Sequence, residues 1–152
     1  MSASSALPRT SAVLDRLMVK NVLFFLLLAL GAGLVLYLSW QQHPQMSRDW
    51  FIPGWVARWA DERDNDALRT AVPFVALGWL IGGWLSLQSQ PWRQWLLAWL
   101  GLVALVSVAE AGQFFLQDRS PDFSDIAWGA AGALLGLGTV AALWGLVRAW
   151  RA

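Results

Sequence analysis

Four stretches of this chain are too long, too apolar and too poor in charge to fold in contact with water: Val22–Trp40, Thr70–Leu87, about Trp92–Leu116, and Ile126–Val147. A helix needs about 20 mostly apolar residues to cross the hydrocarbon core of a bilayer, and each stretch comes close to that length or exceeds it. The first, second and fourth contain no charged residue; the third holds Arg93 at its start and Glu110 inside it. Strands are a poor alternative, because these stretches show no period-two alternation and an open sheet leaves backbone groups unpaired in lipid. Composition agrees: 57% of the 152 residues are hydrophobic and 14% charged, against roughly 25% charged in a soluble domain. The expected fold is an all-α membrane protein, a bundle of about four transmembrane helices with a short interfacial helix in the first loop. Residues 1–21 are expected to be a cytoplasmic N-terminal segment and 22–150 one transmembrane domain.

The first stretch exceeds the ~7–15 apolar residues of a signal-peptide core and lacks a small-x-small cleavage pattern after it, so it is read as a retained span. The absence of cysteine excludes disulfides, thiolate metal sites and a thiol nucleophile. A formal net charge of +1 and the lack of a basic run argue against a nucleic-acid partner. His43 is the only histidine, too few for a His-based metal site. Asp61, Glu62, Asp64 and Asp66 lack the glycine and terminal Glu of a calcium loop, and read as a solvated cap before the second span. No phosphate loop, nucleophile elbow or haem motif is present, so no metal or other cofactor is expected.

Small residues recur at close-packing intervals: Gly78 with Gly82, Gly132 with Gly136, and Gly129 with Ala133. Such pairs let helices approach closely in lipid. The 12 tryptophans suit an apolar body that meets a wet rim at the bilayer faces. In the first loop, Trp55 and Trp59, with Phe51 one turn earlier, recur at helical spacing, as in a short helix lying in the interface, with an irregular start expected where Pro53-Gly54 interrupts it. Pro73 removes the donor for the Arg69 carbonyl in the first turns of the second span.

Orientation is nearly balanced by basic residues. Arg9, Arg16, Lys20, Arg93, Arg148 and Arg151 fall on the side of the N-terminus, against Arg48, Arg58, Arg63, Arg69 and Arg119 opposite. Asp15 is the only acid on the N-terminal side. The short basic lead favours both termini inside, in the cytoplasm.

One stretch breaks the apolar pattern. Ser107, Glu110, Gln113 and Gln117 follow at spacings of 3, 3 and 4, which line one helix face. With the third span reaching Gln117, Glu110 is expected roughly 10 Å below its end at ~1.5 Å per residue. A charge at membrane depth costs about 2.5–3.5 kcal/mol on the lenient insertion scale, so it is turned inward, paired or protonated. Arg119 and Asp125 in the next loop are the natural partners, and Asp125 or Ser124 is placed to cap the fourth helix. Glu110, Gln113, Arg119 and Asp125 are thus expected to converge at one mouth as a candidate ligand site. Ser107, Asp66 and Arg69 support it; Arg69 either snorkels outward or joins Glu110. The alternative is a structural network that only holds helices in register.

These residues carry a resemblance. Glu110-x-x-Gln113, Arg119, Asp125, then Gly132 and Gly136 resemble the VanZ-like family of bacterial membrane proteins, whose pattern is Glu-x-x-Gln, Arg, Asp, then Asn-x-x-Gly-x-x-x-Gly. The match covers about Glu110 to Gly136. Gly129 stands where the family has Asn. Thr70 stands where the second span often carries His or Asn, after a fitting Asp66. The resemblance implies an integral protein of the bacterial cytoplasmic membrane, associated with glycopeptide resistance or exopolysaccharide production. It implies no settled reaction.

Three functions follow as expectations. The first is an envelope accessory protein whose partners are membrane lipids or a lipid-linked envelope precursor, held at an extracytoplasmic polar cluster. The second is a membrane-embedded hydrolase or transferase with Glu110 and Asp125 as acid and base, weakened because Ser107 is the only hydroxyl on the Glu110 face. The third is a structural subunit bound to a partner membrane protein. Proton transport is disfavoured, since Glu110 is the only ionisable residue within the apolar part of any span.

Overall fold

The computed structural model describes residues 7–42, 45–116 and 122–151 of the chain. They form five α-helices: α1 (Leu7–Ser39), α2 (Gly54–Asp61), α3 (Asp66–Leu87), α4 (Trp92–Gln113) and α5 (Phe123–Arg151). Four are long and apolar enough to cross a bilayer, over Met18–Ser39, Arg63–Leu87, Trp92–Gln113 and Phe123–Arg151. The protein is a multi-pass membrane protein.

The boundaries differ from the expected ones in two places. Helix α1 begins at Leu7, so the helix runs through much of the polar lead before the apolar span starts at Met18. After Pro8, which a first turn tolerates, the next helix-weakening residue is Gly31. Helix α4 stops at Gln113, where Phe114 and Phe115 close tight turns onto the carbonyls of Ala111 and Gly112. Glu110 therefore lies one turn from the helix end. Gln117 falls outside the described residues.

Helices α3 and α5 form the centre, and glycine sets their separation. A Cβ on Gly132 would run into the carbonyl oxygen of Ala71, and one on Gly136 into that of Val75. A Cβ on Gly78 would stand 2.9 Å from the Ala133 carbonyl oxygen and 3.0 Å from Gly136 Cα. The two backbones thus touch directly, as the small-residue spacing predicts. Helix α4 packs beside them, its Val106 filling the space over Gly129. Phe74, Leu77, Leu102, Val106, Ala133 and Leu137 make the core.

Tryptophan indoles act as pins between helices. Trp99 Nε1 donates to the Ala130 carbonyl at 3.0 Å, and Trp79 Nε1 to Thr139 Oγ1 at 2.8 Å. Trp40, just past the end of α1, donates to the Ala109 carbonyl at 3.1 Å, its ring lying on Gly112. Such bonds average about 0.6 kcal/mol each in lipid, so they fix register more than they add stability. Midway along α1, Phe24 stacks on Trp84 with centroids 4.7 Å apart. Between these anchors one face of α1, with Leu28, Gly31 and Val35, reaches the core, while most of its apolar side chains are exposed.

The first loop holds α2 as a short separate helix. Ala57 and Ala60 are its buried face, while Trp55 and the preceding Trp50 point out. The irregular start expected at Pro53-Gly54 is present: a 3-10 turn at Met46–Arg48 and a turn at Trp50–Phe51 precede the helix.

Candidate functional site

A cavity of about 390 Å³ opens between α1, α3 and α4. One end of it is polar. Glu110 and Gln113 reach it from the last turn of α4, Asp125 from the first turn of α5, and Arg69 and Thr70 from the first turns of α3. Gln41, just past α1, completes this end, with Met46 of the first loop beside it. The remainder is apolar. Leu27, Gly31, Leu34, Val35 and Leu38 of α1 face Phe74, Leu77 and Leu80 of α3. The α1 residues recur at helical spacing, so one face of a single helix forms that wall.

The polar end is a connected network. Glu110 and Gln113 are each 5% exposed. Gln113 Nε2 donates to Glu110 Oε1 at 3.0 Å, and the backbone N–H of Asp122 donates to Glu110 Oε2 at 3.2 Å. Both carboxylate oxygens thus accept, which offsets part of the desolvation of a buried charge. Thr70 lies close to the Asp125 carboxylate, and the positive charge of Arg69 acts on the same group. Arg69 also pairs with Asp66, Nη1 to Oδ1 at 3.8 Å, along its own helix.

Two loop segments hold the network in place. Asp61, in the last turn of α2, accepts the backbone N–H groups of Met46 at 2.8 Å and Ser47 at 3.1 Å. That clasp fixes Met46 at the mouth. Gln41 Nε2 donates to Asp49 Oδ1 at 2.9 Å. On the other side, Asp122 caps α5: Ser124 N–H donates to its carboxylate at 2.8 Å, and Asp125 N–H to its carbonyl at 3.0 Å. The Ser124 N–H holds the Asp122 carboxyl below its ordinary value of 3.8.

Of the expected constellation, Glu110, Gln113 and Asp125 line one cavity together with Arg69. Arg119 lies outside the described residues, as does His43. Ser107 does not join: its hydroxyl donates to the Val103 carbonyl at 2.8 Å, satisfied one turn back along α4. Asp66 is an exposed partner of Arg69 and not part of the lining. Asp125 does not cap α5, because Asp122 occupies the capping position and leaves Asp125 free to face Thr70. Sequence reasoning missed Thr70 and Gln41 as lining residues. The signal at Thr70 was its place one residue after Arg69 in the motif region. The signal at Gln41 was a polar residue directly at a span exit.

Chemically, the polar end offers carboxylates and amides to hydroxyl or amine donors, and one guanidinium to an anionic oxygen. The apolar end offers a trough for a hydrocarbon chain. Comparison with protein-family models, curated proteins and solved structures gives no match.

Proposed function

We propose that this chain is a VanZ-like accessory protein of the bacterial cytoplasmic membrane that binds an amphiphilic, lipid-linked envelope molecule. The observation that carries the reading is the two-part cavity, a buried polar network at one end continuous with an apolar trough along α1. A pocket of this size with a few convergent polar groups is a default binding site. A headgroup rich in hydroxyl or amide donors matches Glu110, Gln113 and Asp125, and a phosphate or carboxylate matches Arg69. The mouth lies at the end opposite Lys20, Arg93, Arg148 and Arg151, so cytoplasmic termini place it on the outer face, where lipid-linked sugars are handled.

A second reading is acid–base catalysis. It is favoured by one observation, that the carboxylates of Glu110 and Asp125 line the same cavity with Thr70 close to Asp125. Native mass spectrometry of the purified chain, wild type beside Glu110→Gln, tests the binding reading. A discrete co-purified lipid retained by wild type and depleted in the variant is the expected result; an identical lipid profile in both overturns it. A product mass that accumulates only with wild type on added lipid favours the catalytic reading.

A further inference from the structure

The opposite end of the bundle carries a second groove, of about 560 Å³, between the end of α3, the start of α4 and the end of α5. It does not rest on the reading proposed for the first cavity. Its floor on α5 is smooth, because Gly138, Ala141 and Gly145 present no long side chain and a Cβ on either glycine would meet open space. Trp92, Trp95 and Trp99 of α4 form the facing wall.

Two buried polar groups line this groove without partners. Ser86 is 4% exposed and its Oγ has no hydrogen-bond partner; Trp144 Nε1 has none either. A buried donor left unpaired costs about 1–3 kcal/mol, so each calls for an acceptor from outside the chain. An indole N–H can only donate. The missing occupant therefore brings acceptor oxygens to the level of Ser86, at the end of α3, and Trp144, seven residues before the end of α5.

At the rim, Arg148 is held in place. Its Nη2 donates to Ser89 Oγ at 3.0 Å, and its guanidinium lies 5.6 Å from the Trp144 ring centroid. Ser89 itself has φ 50°, the left-handed position that ends α3, where glycine is usual. The Gln90 N–H to Leu85 carbonyl and Ser89 N–H to Ser86 carbonyl bonds, both 3.0 Å, define that cap. A serine there gives Arg148 an acceptor that glycine lacks. Among the described side chains, the charged residues of this end are Lys20, Arg93, Arg148 and Arg151, with no acid among them.

We infer that this groove is a binding site for one anionic diacyl phospholipid of the leaflet at the end of α5. The phosphate sits on Arg148, the ester carbonyls accept from Trp144 Nε1 and Ser86 Oγ, and an acyl chain lies between the α4 tryptophans and the α5 glycines. The charge at the rim, the donors at carbonyl depth and the apolar floor occur in the order in which a phospholipid presents phosphate, ester and chain.

The test is a native mass spectrometry titration of the detergent-purified full chain with dioleoyl phosphatidylglycerol and with dioleoylglycerol, which lacks the phosphate. Wild type is expected to take up one phosphatidylglycerol, at least tenfold more tightly than dioleoylglycerol, as a charge-assisted contact implies. Arg148→Gln should lose that preference. Gly138→Leu, whose Cβ would meet nothing within 4 Å and whose side chain would occupy the floor, should lose both lipids, and it keeps the inference testable if Arg148→Gln folds poorly. Arg151→Gln removes the same charge outside the groove and should bind as wild type. Wild-type binding in both groove variants, or an equal loss in Arg151→Gln, would overturn the assignment. So would a dimer of this chain that disappears in Gly138→Leu while no lipid mass is seen.

Discussion

Gln113 donates its side-chain amide to the carboxylate of Glu110 one helical turn away, at 3.0 Å, with both residues 5% exposed at the end of α4. The pair is held from across the loop by the Asp122 N–H on the second carboxylate oxygen. The start of α5 is thereby tied to the end of α4 at the residue proposed to receive the ligand.

Replacing that residue should separate the two roles. Glu110→Ala leaves the Gln113 amide and the Asp122 N–H without this acceptor, and an orphaned buried donor costs about 1–3 kcal/mol. Glu110→Gln keeps one acceptor oxygen and the side-chain volume. A clear fall in Tm for the alanine variant, with a much smaller one for glutamine, is expected in detergent melts. Equal Tm values for wild type and Glu110→Ala would mean that the network contributes nothing to the fold.

The glycines of α5 divide by what faces them. Gly132→Ala and Gly136→Ala drive a methyl into the backbone carbonyls of Ala71 and Val75, which cannot rotate away. Overpacking of this kind costs about 1–3 kcal/mol. Gly145→Ala meets open space and should be neutral or stabilising by up to about 1 kcal/mol through helix propensity. Thermal unfolding of the three variants checks the ordering.

The structure gives a reason for glycine at position 129. A Cβ there would lie 2.8 Å from Val106 Cγ2. Gly129→Asn is expected to destabilise the wild-type chain and to be largely rescued by Val106→Ala. A double-mutant cycle measures the coupling, and additive effects would show that the two sites do not share this space.

Asp122 gives the start of α5 a pH dependence. Its folded-state value is lowered from 3.8 by the Ser124 N–H, so the charged form is favoured in the folded chain. Its contribution is present above the unfolded value and is lost as pH falls through the folded one. Wild type should therefore exceed Asp122→Asn in Tm near neutrality, with the gap closing below about pH 4. A gap that persists into acid would assign the difference to something other than this carboxylate.

Much of the architecture is legible in the residues themselves. The spans follow from the length of charge-free runs, and the α3–α5 contact from Gly78, Gly132 and Gly136, whose spacing has little other use in a helix. Glu110, Gln113 and Asp125 stand out because an apolar helix has no reason to carry them. The rest depends on tertiary placement. Met46 is held at the mouth by Asp61, which clasps the first loop, a contact between residues with no shared periodicity. Ser107 shares the Glu110 face by spacing, yet a serine hydroxyl can turn back to its own helix carbonyl, and here it does. The tryptophans read as a belt at the bilayer faces; Trp79 and Trp99 instead pin helices together, because an indole donor is satisfied by any acceptor in reach. The capping residue of α5 was misread because Asp122, Ser124 and Asp125 are all good caps, and only the geometry of the turn selects among them.

The central claim is that the trough along α1 holds one amphiphile whose head rests on Glu110. Photo-crosslinking in intact cells tests it most directly, with a diazirine side chain placed at Leu34 in the trough and, separately, at Leu30 on the exposed face of α1. The account expects a single discrete lipid adduct from position 34, lost in Glu110→Gln, and a mixture of bulk lipids from position 30 that ignores the substitution. The same bulk mixture from both positions, unchanged in Glu110→Gln, would contradict it.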